Sequence, residues 1–424
     1  MTIALIAGAW LVLMLLGVPV GVAMIFVAMA YFAYTGIGLP FAVQRMVDGL
    51  NSFPLLAIPL FILAAAILNS AGIGDRLFGF AHALVGHIRG GLGQVNVLAS
   101  LFFSGMSGSA IADAGGLGKL EIKAMREAGY DDEYAGSITA ASSMIGPLVP
   151  PSIPMVLYGV IADTSIGSLF LGGVVPGFLC ALALMMMCYV LASRRNYPVS
   201  ARASVVEIWS TFKGSFGALL TPFVIIGGIF SGLFSPTEAA AVTVAYAILL
   251  DLLIYRQLTF AKLWDSLYDT MKTSASIATI IAGVSMLGVI LAREQAPQQI
   301  ASMFLSFTDS PLTFLIAVHL MIFALGAIVE SLAILLIVVP MLVPVAMSYD
   351  IDPVHFGVLV VFNLMISTLT PPMGVALFVV AKVGNIPFQR LAVAILPWLI
   401  PPVIVLVLLT LFPQLVTFLP QLLN

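Results

Sequence analysis

The sequence predicts an all-helical protein that crosses a membrane many times, and three observations carry that prediction. Of 424 residues, 61% are apolar and only 8% charged, with a mean hydropathy of +1.16, whereas a soluble domain uses about 25% charged residues to face water. The apolar residues run in long unbroken stretches instead of alternating as barrel strands do. Proline pairs and serine–glycine clusters sit inside these stretches, where lipid-facing helix tolerates them poorly. A soluble enzyme, a nucleic-acid binder and a disordered chain are excluded by composition alone. The net charge of −3 is too small to imply an acidic or basic partner.

A span needs about 20 residues. Apolar runs that reach or approach this length lie at Ile3–Leu16, Pro19–Tyr34, Pro54–Leu68, Ile138–Ile161 and Ile166–Ala192. They continue at Phe216–Phe234, Glu238–Tyr255, Ser274–Ala292, Pro311–Val329, Ser331–Met347, Val354–Val380 and Leu391–Phe418. The last run contains Pro397, Pro401, Pro402 and Pro413, so it is one bent span or two short ones. About eleven spans plus re-entrant pieces result. The first run lacks a basic leader and a small-residue cleavage site, and reads as a span rather than a signal peptide. Cys180 and Cys188 share one run and read as packing residues, not a disulfide or metal pair.

Ten of the sixteen Lys and Arg residues cluster in Lys119–Arg126, Arg194–Lys213 and Arg256–Lys272, which the positive-inside rule places in the cytoplasm. Two runs separate each neighbouring pair of clusters, so the parity is consistent. The Arg194–Lys213 stretch, with Tyr197-Pro198 and an amphipathic tail, is the best linker between two halves. The halves show a weak internal repeat. Ile145–Met155 carries Pro150-Pro151 after a small and polar segment, Ser104–Gly118, and Ile366–Ala376 carries Pro371-Pro372 after Gly326–Pro344. This divides the chain into N-terminal helices (1–92), a first repeat with a re-entrant hairpin and broken helix (93–193), a linker with second-half helices (194–310), a second repeat with hairpin and broken helix (311–390) and a C-terminal helix (391–424). Prolines in mid-span remove backbone donors and leave carbonyls free. In lipid that is tolerated only where the backbone lines an enclosed cavity or binds something, and paired broken helices are the sequence mark of a secondary transporter.

Three motifs carry chemistry. Ser104, Ser107 and Ser109, interleaved with Gly105 and Gly108, form a re-entrant tip whose hydroxyls offer oxygen ligands to a hard monovalent cation. Opened carbonyls around Gly146, Val149 and Pro151 would complete its shell. Asp113 has two readings, as a cap on a hairpin arm or as the partner of Lys119. Glu330, between two apolar stretches, is an intramembrane carboxylate and hence functional by default. Its candidate partner is Arg293, which would be either a bidentate clamp for a substrate carboxylate or a snorkelling residue beside Glu294. The third motif, Ser235-Pro236-Thr237-Glu238, is a helix start.

Taken together, these motifs resemble the large membrane subunit of TRAP transporters, the tripartite ATP-independent periplasmic (DctM-like) family. The resemblance runs nearly end to end. It rests on Pro54–Phe61, Gly90-Gly91-Leu92, Ser107–Asp113, Ala114–Gly118, Gly129-Tyr130-Asp131, Pro150–Pro154, Pro236–Ala239, Asp352–Gly357 and Thr370–Gly374. It implies an inverted-repeat, elevator-type fold of the ion-transporter-superfamily kind, with a scaffold, a mobile transport domain and two re-entrant helical hairpins. It also implies Na⁺-driven import of an organic acid (a C4-dicarboxylate, sialic acid or another sugar acid) across the bacterial inner membrane. The implied partners are a small membrane subunit and a periplasmic substrate-binding protein. One implied sodium site comprises Ser104, Ser107, Gly146, Val149 and Pro151. The other comprises Gly326, Ser367, Thr370 and Met373, mostly through carbonyls. Ser367 stands where relatives often carry glycine, and Glu330 where aspartate is common. The candidate substrate contacts are Arg293, Glu330, Ser109, Pro150 and Pro371.

Two rival readings come from other classes. One is a one-component Na⁺/carboxylate symporter that needs no binding protein. The other is an intramembrane serine protease, with Ser107 of Gly105-Met106-Ser107-Gly108 as nucleophile and His319 as base. No ATP-binding GxxxxGK[ST] motif is present, so the reading is transport without an ATP-driven step.

Overall fold

The computed structural model describes residues 2–195 and 197–423; Met1, Asn424 and, in the predicted linker, Asn196 lie outside the described residues. Every regular element among the described residues is helical. The order begins α1 (Thr2–Leu15), α2 (Val20–Thr35), α3 (Leu39–Leu50), α4 (Ala57–Ser70, extended by a 3-10 turn at Phe53–Leu56) and α5 (Ile73–Val85). It continues with α6 (Leu92–Ser107), α7 (Ala110–Glu127), α8 (Asp132–Ser143), α9 (Ile153–Ile161), α10 (Ile166–Arg195), α11 (Val205–Leu219), α12 (Thr221–Phe230) and α13 (Pro236–Leu250). The remainder comprises α14 (Phe260–Arg293), α15 (Ala296–Phe307), α16 (Pro311–Gly326), α17 (Ser331–Ser348), α18 (Pro353–Ser367), α19 (Val375–Gly384), α20 (Phe388–Ala394), α21 (Ile400–Leu411) and α22 (Gln414–Leu423).

Five helical stretches are long and apolar enough to cross a membrane: Phe53–Ser70, Ile166–Arg195, Pro236–Tyr255, Phe260–Arg293 and Ser331–Ser348. Two further pairs qualify when joined across a bend, α11 with α12 at 43° and the Phe388–Leu411 segment at 45°. The second bend falls where the prolines of the last predicted run require it. Large apolar side chains such as Phe223, Leu253 and Val407 face outward, as expected where lipid is the solvent. The protein is a multi-pass membrane protein.

The two predicted runs with Pro-Pro pairs are each broken in the middle. Ile138–Ile161 becomes the end of α8, an irregular segment from 144 to 152, and α9. Val354–Val380 becomes α18, an irregular segment from 368 to 374, and most of α19. The Pro150–Pro151 and Pro371–Pro372 bonds are both cis. Each broken helix follows a hairpin, α6/α7 in the first half and α16/α17 in the second. The two halves interlock reciprocally: α7 packs on α19 and α17 on α9, while α6 packs on α8 and α16 on α18. Around them α14, the longest helix, packs against α2, α3 and α4, and α13 packs on α4.

Three short helices, α3, α15 and α22, lie outside the single-run logic used on the sequence. Each is amphipathic, so no unbroken apolar stretch announces it. The predicted start at Ser235 is a full capping box. Ser235 Oγ accepts from the Glu238 amide at 3.3 Å, and Glu238 Oε2 accepts from the Ser235 amide at 2.8 Å.

Candidate functional site

The first hairpin turns at Gly108, whose φ of +60° is costly for a residue with a Cβ. A Cβ there would also strike the Pro151 carbonyl. Ser109 then caps α7, accepting from the Ala112 amide at 3.3 Å. The tip is tied to the first break by the Ile153 amide, which donates to the Gly108 carbonyl at 3.4 Å. Gly146 lies against Ser109, since a Cβ on it would sit 3.2 Å from the Ser109 carbonyl oxygen.

This arrangement leaves oxygens without partners. Among the described residues no hydrogen bond reaches the carbonyls of Gly146, Leu148, Val149, Pro150 or Pro151. The Pro147 carbonyl is taken by the Ser152 hydroxyl. Ser107 Oγ is buried with no partner at all. Ser104 Oγ donates to Leu101 O at 2.6 Å, which uses its proton and leaves its lone pairs. The buried Ser107 hydroxyl and the free carbonyls of the break are oxygen donors, the kind of group that a small hard cation takes.

The second hairpin repeats the plan with a different outcome. Its tip spans Ala327–Glu330, and the Met373 amide donates to the Ala327 carbonyl at 3.1 Å. Gly326 lies directly against Ser367, whose side chain a Cβ on Gly326 would strike. Here two of the four predicted carbonyls are engaged. Ser367 O accepts from Thr370 N at 3.0 Å, and Thr370 O accepts from Gly374 N at 3.0 Å. Ser367 Oγ and Thr370 Oγ1 donate to Asn363 O and Ile366 O, both at 3.0 Å. The Gly326 and Met373 carbonyls are the unbonded members of this predicted set among the described residues.

A cavity of about 800 Å³ separates the tips from α2, α4 and α14. Its walls are the start of α2, the inner half of α4 and the middle of α14 on one side, and both hairpin tips with Pro147, Ile153, Met365, Thr368 and Ala376 on the other. Ser107, Ser109 and Glu330 line it, as does Asp269 of α14. Glu330 caps α17, its Oε2 accepting from the Ala333 amide at 3.0 Å. Asp269 and Asn69 went unnoticed in the sequence because Asp269 is hidden in the basic Arg256–Lys272 stretch and Asn69 ends an otherwise apolar run.

Several expectations are revised. Arg293 is exposed at the far end of α14, outside the cavity lining, and forms no ion pair with Glu330. Its neighbour Glu294 accepts instead from Tyr31 Oη at 2.7 Å. Pro150 and Pro371 belong to the breaks but do not line the cavity. Asp113 neither caps α7, which Ser109 does, nor pairs with Lys119, since both its oxygens are buried and unpartnered. His319 Nε2 is bound to Thr410 Oγ1 at 2.9 Å, and its Nδ1 and carbonyl face the Asn363 amide, so Ser107 and His319 form no dyad.

With this geometry in view, a family model described as "Tripartite ATP-independent periplasmic transporter, DctM component" matches residues 7–415. The chain belongs to this family. It is therefore a transporter component and not an enzyme. A sialic acid TRAP transporter large permease protein of Vibrio cholerae is 53% identical over 97% of both chains. A sialic acid TRAP transporter permease of Haemophilus influenzae is 50% identical, covering 98% of this chain and 67% of its own. A C4-dicarboxylate TRAP transporter large permease of Pseudomonas aeruginosa is 37% identical over 89% of this chain and 88% of its own. Among solved structures, the Alcanivorax borkumensis YdaH transporter superposes with a TM-score of 0.59 at 16% identity, over 89% of each chain. That likeness shows a shared fold and nothing finer.

Proposed function

We propose that this TRAP large permease is a sodium-coupled importer of a sialic acid or related sugar acid in the bacterial inner membrane. It works with a small membrane subunit and a periplasmic substrate-binding protein. The observation that carries the reading is the first broken helix, whose Gly146, Val149 and Pro151 carbonyls are unbonded among the described residues, packed at Pro151 against the hairpin tip that holds the orphaned hydroxyl of Ser107. A sodium ion held there by these groups and Ser104 would satisfy oxygens that otherwise cost several kcal/mol in a dry interior. Gly326, Ser367, Thr370 and Met373 would hold a second ion through their carbonyls.

The cavity explains why ion and substrate would be coupled. Its lining contains Glu330 and Asp269 but no lysine or arginine, so an anionic substrate meets no fixed cation. Positive potential comes instead from the helix N-termini at Ser109 and Ser331 and from the bound ion. A unit charge roughly 5 Å from a carboxylate, at an effective dielectric of about 20, contributes about 3 kcal/mol. That corresponds to more than a hundredfold in affinity, enough to make substrate binding depend on sodium. Glu330 would accept from hydroxyl or amide groups of the same substrate. The sialic acid assignment is supported by the two relatives named for that cargo at 50% identity and above.

The cavity reaches Asn69, adjacent to Ser70, whose carbonyl accepts from Lys262 Nζ at 3.1 Å. It thus extends toward the end where basic residues cluster, which supports a site on the cytoplasmic side of the tips. In this reading the hairpins and broken helices form a transport domain that slides against α2, α4, α13 and α14. The topology is about eleven spans and two re-entrant hairpins. The test is uptake into proteoliposomes holding both membrane subunits and a matched binding protein. Uptake is expected with an inward Na⁺ gradient and absent with K⁺. Uptake driven equally by K⁺ or by a proton gradient alone would overturn sodium coupling, and uptake without the binding protein would favour a one-component symporter.

A further inference from the structure

The interior of the first hairpin holds two carboxylates that the proposed function does not use. Asp113 and Glu121 lie on α7 facing α6 and α8, each 1% exposed. Glu121 ends a chain of buried polar groups. Ser100 Oγ donates to Ser142 Oγ at 3.1 Å, and Ser142 Oγ donates to Asn96 Oδ1 at 2.7 Å. Asn96 Nδ2 donates to Glu121 Oε2 at 2.8 Å and lies 2.7 Å from Thr139 Oγ1. Asp113 and Glu121 lie about two turns apart on the buried face of α7. Gly118 lets α7 approach α8 here, since a Cβ on it would sit 2.8 Å from Thr139 Cγ2. Both Asp113 oxygens and Glu121 Oε1 are buried without any partner.

No cation balances them. On α7 itself, Lys119 and Lys123 are exposed, Lys123 toward Glu127, and Arg126 is taken by Asp132 and the Gly384 carbonyl. On α5, Asp75 is exposed, Arg76 covers the Tyr255 ring and His82 binds Ser200. α6 carries no titratable group. On α8, Glu133 pairs with Arg390 and the Tyr134 ring stacks with Tyr130, Tyr197 and Trp398, while Lys382 of α19 is exposed. Two ionised carboxylates in such a site would cost several kcal/mol each. A metal ion is poorly served, because the Asn96 amide points its protons into the cluster and no group of three acidic, His or Cys ligands exists among the described residues. A proton needs only one free oxygen, and three are present.

We propose that Asp113 and Glu121, buried with free oxygens on one face of α7, form a proton-binding site inside the first hairpin. The site is separate from the carbonyls of the breaks and does not depend on sodium coupling. Its test is the infrared spectrum of the full-length permease in lipid nanodiscs, with choline as the only added cation, titrated from neutral to alkaline pH. A protonated-carboxyl band is expected at neutral pH and should fade on titration with release of protons to the buffer. Asp113→Asn and Glu121→Gln should each remove one carboxyl contribution from that band. If neither variant changes it, the groups are ionised and the proposal fails. If the wild-type band persists unchanged until the protein unfolds, the acids are sealed structural groups and the proposal also fails. The wild-type titration keeps the question decidable if a variant does not fold, and sodium-driven uptake is read separately.

Discussion

The two hairpin-and-broken-helix units share a plan and differ in chemistry. In the first unit the interior is polar, with Asn96, Ser100, Asp113, Glu121, Thr139, Ser142 and Ser143 all buried, and the break leaves five consecutive-region carbonyls unbonded. In the second unit the interior is Leu-, Ile- and Val-rich and the side chains of Asn363, Ser367 and Thr370 are bonded, while the Leu369, Pro371, Pro372 and Met373 carbonyls of its break are unbonded among the described residues. Asn363 donates to the His319 carbonyl at 2.9 Å, and Ser367 and Thr370 bond within α18. The proline breaks and the glycines at the tips give the two units one architecture, and the polarity of the hairpin interior sets them apart.

The largest effect should come from backbone substitutions at the tips, and it should differ between the units. Gly108→Ala adds a Cβ at φ +60° against the Pro151 carbonyl, a strain of about 1–2 kcal/mol before any clash. Uptake should fall more than about tenfold, with no rescue by a side-chain change because the obstacle is backbone. Gly326→Ala meets the Ser367 side chain instead, so Gly326→Ala with Ser367→Gly should recover most of the loss in a double-mutant cycle read by uptake and melting temperature. Equal rescue at both tips would break the comparison.

A smaller effect is expected at Glu330. Glu330→Ala removes both the cap on Ala333 and the carboxylate facing the cavity. Loss of the cap costs about 1 kcal/mol of stability, read in the melting temperature, and substrate KM should rise with the sodium dependence unchanged. A shift in sodium dependence instead would place Glu330 in the ion site. Smaller still, Ser235→Ala removes the capping box of α13, outside both units. It should cost about 1 kcal/mol at most and leave uptake kinetics intact, a scaffold control for the tip variants.

Much of the site was legible in the sequence because proline and glycine punctuate apolar helix with little ambiguity. Pro150-Pro151 and Pro371-Pro372 located the breaks, and Ser104–Ser109 located the first tip. Of the first set of cation candidates, Gly146, Val149 and Pro151 fall in the break and Ser104 and Ser107 in the last turns of α6. What the sequence concealed depended on long-range packing. Asn96 and Glu121 are 25 residues apart and meet only because the hairpin folds them back. Asp269 reaches the cavity from α14. Arg293, attractive as an intramembrane cation, lies at the exposed end of α14, and nothing in local spacing distinguished that from a position over Glu330.

The central claim is that the first break and Ser107 hold a sodium ion. The direct measurement is thermal stabilisation of the full-length permease in nanodiscs, titrated with Na⁺ at constant ionic strength using choline, in the wild type and in Ser107→Ala. Loss of one hydroxyl ligand should cost about 1.4 kcal/mol, or about tenfold in sodium affinity. The account predicts saturable stabilisation by Na⁺ and a titration curve displaced by that factor in Ser107→Ala. No sodium-specific stabilisation, or identical curves for the two proteins, would contradict it.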